Sequence, residues 1–187
     1  MRRRGAIAAL VVGVTALGIA AFALAGGSGA GFNHLKATMS GYQETPAAIS
    51  SPGSAEFNAD VSQDGQSISW QLTYGGLEGQ VTQSHIHFGQ RGITGGISVF
   101  LCTNLNNGPP GTQTCPQSGT ISGTITAADV SPAIPATLAA RNQGIDTGEY
   151  DELVRAIGAG KTYANLHTDR WPSGEIRAQL NEDDPHN

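Results

Sequence analysis

Two histidines, His85 and His87, stand two positions apart in the run Gln83-Ser84-His85-Ile86-His87-Phe88. On an extended strand, side chains at i and i+2 share a face. Two imidazoles on one face can bind a single copper or zinc ion. A second row with the same spacing is Tyr163, Asn165 and His167. If its strand lies near the first, His167 supplies a third nitrogen. Three histidines around an open position make a catalytic or ligand-accepting metal site. The alternative is that the histidines are structural and hydrogen-bonded to protein groups, and spacing alone leaves both readings open. Glu175 and Arg177 are also two apart and flank the last turn. They form either a surface ion pair, worth under about 1 kcal/mol, or support for His167. Other chemistries lack their motifs: the chain has no Gly-x-Ser-x-Gly elbow, no Walker loop and no dinucleotide glycine fingerprint.

These residues need strands to position them, and the composition supplies strands. Charged residues make up 13% of 187, with 26 glycines and 9 prolines. Helix interiors reject glycine and proline, so a helical bundle is excluded. Strands are expected near 34–40, 54–61, 67–74, 82–88, 97–102, 120–126, 162–167 and 175–180. In the second, Ala55, Phe57, Ala59 and Val61 share a face; in the third, Ile68, Trp70, Leu72 and Tyr74 do. That period-2 alternation marks half-buried strands. Gln63-Asp64-Gly65-Gln66 between them is a hairpin signal. Eight short strands with turns predict an all-β Greek-key sandwich or barrel. One helix is expected near 148–158, capped by Thr147 and ended by Gly158, with Tyr150, Leu153, Val154 and Ile157 on its inner face.

The ends read differently. Arg2, Arg3 and Arg4 precede a run without charge from Ala6 to Ala25, which closes on Ala23-Leu24-Ala25. This reads as a signal peptide over 1–25, or else as a retained N-terminal anchor. Residues 26–33 are expected to be a flexible linker, 34–180 the domain, and 181–187 an acidic tail. Cleavage leaves seven basic and fifteen acidic residues, a net charge of −8. Such a surface argues against nucleic acid and anionic lipid as partners and permits a cationic one. Cys102 and Cys115 are expected to form a disulfide in an exported protein.

The motifs resemble a known family. Leu35-Lys36-Ala37-Thr38-Met39-Ser40-Gly41 with Gln43-Glu44-Thr45-Pro46 is similar to the opening of the CHRD domain, named after chordin. Leu77, Gly79 and Val81-Thr82 before His85-Ile86-His87 resemble its centre, and Ala127-Ala128-Asp129-Val130 its connector. Tyr163-Ala164-Asn165-Leu166-His167-Thr168 and Pro172-Ser173-Gly174-Glu175-Ile176-Arg177 resemble its most specific motif. The resemblance covers about residues 34–180. It implies a secreted or surface protein with an immunoglobulin-like β-barrel, distantly like the Cu,Zn superoxide dismutases. That likeness implies His85, His87 and His167 as copper ligands, with zinc the second choice and Asn165, Glu175 and Arg177 in support. No bridging histidine and no zinc-ligand loop accompany them, and His34 and His186 lie at the ends. The expected function is therefore a non-catalytic extracytoplasmic binding module, with a protein or envelope component as partner. The alternatives are a copper-dependent redox enzyme of the dismutase type and a purely structural envelope domain. Metal binding is expected to weaken below about pH 6, where ordinary imidazoles protonate.

Overall fold

The computed structural model describes residues 32–180. The expected signal peptide and the acidic tail at 181–187 lie outside the described residues, as does the linker up to residue 31. Phe32, at the end of that linker, is buried in the core, and the Asn33 carbonyl accepts a hydrogen bond from Val61 N–H.

Eight strands form one antiparallel sheet: β1 (His34–Ser40), β2 (Ser54–Val61), β3 (Ile68–Gly75), β4 (Val81–Phe88), β5 (Gly96–Thr103), β6 (Gly119–Ile125), β7 (Thr162–Thr168) and β8 (Ile176–Gln179). Their order is β5-β4-β7-β8-β1-β2-β3-β6. The sheet curls into a nearly closed barrel or sandwich, and the all-β expectation holds. β5 and β6 are the two edges, and Gln113 bridges them. Its Nε2 donates to the Leu101 carbonyl on β5 and the Ser122 carbonyl on β6, both at 3.1 Å.

Alternation does the folding work on β2 and β3. Ala55, Phe57, Ala59, Ile68, Trp70, Leu72 and Tyr74 all point inward and are buried. Phe57 and Trp70 stack with ring centroids 6.3 Å apart. Gly123 pairs with Trp70, and a Cβ there would press into the indole. The hairpin between the strands turns at Gly65, whose φ of 70° is one that glycine tolerates.

Two helices cross one side: α1 (Leu138–Asn142) and α2 (Tyr150–Gly158). α2 buries the face expected of it, with Tyr150, Leu153, Val154 and Ile157. Its cap differs from the expectation. Thr147 Oγ1 donates to the Ser131 carbonyl instead, and Glu149 occupies the cap position, its carboxylate accepting from Asp146 N–H and not from the helix. Gly158 is still helical, and the reversal comes at Gly160, with φ 64°. α1 was not expected, because five residues are too few to carry a helical period.

Cys102 and Cys115 are joined as expected, with Cα atoms 5.2 Å apart. The bond ties the end of β5 to the long loop that closes the barrel seam. No helix among the described residues is long and apolar enough to cross a membrane.

Candidate metal centre

The histidines stand on the outer face of the sheet, yet they are not exposed. On β4, Ile86 points into the core while His85 and His87 point away. On β7, Ala164 and Leu166 point into the core while Tyr163, Asn165 and His167 point away. β4 and β7 are hydrogen-bonded neighbours, with His85 opposite Asn165, His87 opposite Tyr163 and Gln83 opposite His167. That register sets His167 diagonally beside His85, within reach of a large side chain. β4 shifts register between Ser84 and His85 and again between Ile86 and His87. Such irregularities re-aim side chains next to functional sites.

Three loops roof this face: 41–46, 89–95 and 172–174. The backbone of the last two holds the rings. His87 Nδ1 donates to the Gly95 carbonyl at 2.9 Å, and His167 Nδ1 donates to the Pro172 carbonyl at 2.9 Å. Each bond fixes a tautomer whose Nε2 is unprotonated, and the His167 Nε2 accepts from His85 Nδ1. His85 Nδ1 faces His167 Nε2 at 3.3 Å. One nitrogen from each ring lies within 4.8 Å of the other two. Two nitrogens held about 2.0–2.1 Å from one ion at a tetrahedral angle are about 3.3 Å apart, so the His85–His167 spacing already suits a shared ion. Among the described residues, the Nε2 atoms of His85 and His87 are buried without a hydrogen-bond partner, and so is Asn165 Oδ1.

Aromatic contacts lock the arrangement. His87 lies flat on Tyr163, 4.7 Å between centroids and 3° between planes. The Arg177 guanidinium caps Tyr163, its Cζ 3.4 Å from the ring centroid. The Tyr163 hydroxyl accepts from Gly95 N–H at 3.1 Å, steadying the glycine whose carbonyl holds His87. His85 meets the Phe100 ring edge-on at 4.5 Å.

Burial keeps the imidazoles neutral. It pushes His87 down to about 3 and His167 down to about 4, and it holds His85 well below the usual histidine range. The hydrogen bonds to Gly95 and Pro172 oppose the fall at His87 and His167. The expected loss of binding below about pH 6 used ordinary imidazoles. These buried rings resist protons to lower pH for as long as the fold holds.

The supporting residues divide. Asn165 is buried on the same face as the rings. Arg177 acts through Tyr163 and ties down the roof, donating to Thr45 Oγ1 and to the Gln90 and Ile93 carbonyls, the latter at 3.0 Å. Glu175 is neither of the things expected of it. It is fully buried, so it is no surface pair, and its carboxylate does not hold the His167 ring, which Pro172 does. Glu175 accepts instead from Ser51 and Thr168 hydroxyls and from Glu78 and Gly79 N–H, fastening three chain segments together.

The sequence reading missed the Gly95 and Pro172 carbonyls and the stacking role of Tyr163. Backbone acceptors carry no residue signature. Gly95 offers a faint one: a Cβ there would overlap the Phe88 carbonyl, so only glycine lets the loop fold back this closely.

All eight strands, save the first residue of β1, fall within one family profile, that of the CHRD domain, which matches residues 35–180. The chain belongs to the CHRD domain family. No curated protein and no solved structure matches it. A CHRD domain with a disulfide fits an extracytoplasmic binding module, and its three histidines form a cluster of the kind that can hold a metal ion.

Proposed function

We propose that the protein is an exported, non-catalytic binding module that takes up one metal ion on His85, His87 and His167. One observation carries this reading. Within the cluster His87 Nε2 is buried with no hydrogen-bond partner among the described residues, although an orphaned buried polar atom costs about 1–3 kcal/mol. A purely structural role would have paired it. One ion between the rings satisfies it together with His85 Nδ1 and His167 Nε2, with the Gly95 and Pro172 carbonyls as the outer support that ligating histidines usually have. Copper is preferred over zinc because Cu²⁺ ranks above Zn²⁺ for nitrogen sites. The three histidine residues are 0%, 7% and 6% exposed, which supports a closed binding site over a redox enzyme of the dismutase type.

Residues 1–25 serve as the signal peptide or are retained as an anchor, and the disulfide suits the oxidising compartment that export reaches. The partner is a protein or envelope component, not nucleic acid. Titration calorimetry of the purified protein with Cu²⁺ and Zn²⁺ tests the site. His87→Ala should lower affinity at least tenfold, whereas His34→Ala, at an exposed pair with Asp60, should change it less than twofold. Equal binding by the two variants overturns the reading.

A further inference from the structure

A second site lies beside the roof of the first. Glu44 follows the short turn Gly41–Gln43 and is 6% exposed. Among the described residues, its Oε2 accepts only a long bond from Thr45 N–H, 3.3 Å, and its Oε1 is buried without a partner. Burial raises its pKa to about 7, against the pull of Arg177. The carboxyl borders a cavity of ≈ 220 Å³ that it shares with Pro46, Ala47, Ile49, Trp171 and Pro172. Gly174 also borders this cavity, at φ 133°. A Cβ on Gly174 would overlap the Glu44 carboxyl, so the glycine keeps the space beside that carboxyl clear. Arg91 and Arg177 border Glu44 from a neighbouring cavity, and Arg177 spends its donors on Thr45, Gln90 and Ile93.

The lining is mostly apolar, with the hydroxyl residues Thr45 and Ser173 beside the apolar side chains and one acid at the wall. A sugar would need several polar partners, and the cavity offers few. A slender alkyl chain ending in a positive charge matches both parts. We propose that this cavity binds a primary alkylammonium group, its stem against Pro46, Ile49, Pro172 and Trp171 and its N–H groups donating to Glu44 Oε1. Lysine-type side chains combine such a stem and head. The Trp171 ring already carries the Arg170 guanidinium 5.3 Å from its centroid, so the indole offers the ligand apolar surface for its stem. The mature chain's charge of −8 draws cations toward it. Free amines and protein lysines share this chemistry.

Two-dimensional NMR of the purified protein tests it, following the Trp171 indole N–H and the Gly174 amide. The probes are Nα-acetyl-lysine methylamide, its Nε-acetylated analogue, 1,5-diaminopentane and N-acetylglucosamine. The lysine amide and the diamine should shift both signals saturably. The tighter of the two identifies the source as protein lysine or free amine. The Nε-acetylated analogue should bind at least tenfold more weakly, and Glu44→Gln should lose at least tenfold for the amine while keeping a dispersed spectrum. Equal binding of the acetylated analogue overturns the proposal even if Glu44→Gln fails to fold. Unchanged amine binding by Glu44→Gln, or a response to the sugar alone, overturns it too. Metal is left out, so this outcome is independent of the histidine site.

Discussion

Acidification should unfold the metal-free protein sooner than its disulfide-linked barrel would suggest, and the magnitude follows from the rings. His87 and His167 have folded-state pKa values of about 3 and about 4, below their unfolded value near 6.5. In the window between, the unfolded chain binds protons that the folded one does not, so stability falls as pH falls. At pH 5 the unfolded rings have passed 6.5 by about 1.5 units, which costs about 2 kcal/mol per ring at 1.36 kcal/mol per unit. The two together cost about 4 kcal/mol, and His85 adds in the same direction. Glu44 has the opposite sign. Its pKa is raised to about 7, so its contribution is full below the unfolded value near 4.5 and is lost as pH rises through 7. Between pH 7 and pH 5 it returns about 2 kcal/mol. The Glu44→Gln variant removes that offset. Its guanidinium unfolding free energy should drop by about 4 kcal/mol or more from pH 7 to pH 5, a large part of the 5–15 kcal/mol typical of a domain. Saturating zinc should shrink the drop. A flat profile in this variant would refute buried, neutral histidines.

Further outcomes are expected. Reducing the Cys102–Cys115 bond should lower the unfolding free energy by about 3 kcal/mol, read from denaturant midpoints with and without reductant. Tyr163→Phe keeps the ring on His87 but loses the acceptor for Gly95 N–H; zinc affinity should fall several-fold while the thermal midpoint moves by only a few degrees. Glu175→Ala strands the donors of Ser51, Thr168, Glu78 and Gly79 and should cost about 3 kcal/mol or more, so soluble yield and midpoint should both collapse.

Much of this fold was legible because its signals are periodic. Alternation named the inward faces of β2 and β3, and the His-x-His spacing named a shared face. The same spacing in Tyr163, Asn165 and His167 offered the third ring, and the family resemblance placed it with the other two. The unreadable part was carried by tertiary context. Glu175 sits in a charged-looking turn, and only the arrival of Ser51, Glu78 and Thr168 buries it. Thr147 has the right type for a cap, but the Ser131 carbonyl takes its hydroxyl. Glu44 carries no motif of its own chemistry; its burial depends on two loops more than a hundred residues apart in sequence meeting over the sheet.

The central claim is that His85, His87 and His167 hold one ion, and elemental analysis of protein purified from its native compartment tests it most directly. The account predicts close to one equivalent of copper, or failing that zinc, per chain, and less than a tenth of that in His87→Ala prepared in parallel. Folded wild-type protein that carries no stoichiometric metal, and takes up none when copper and zinc are offered at pH 7, would contradict it.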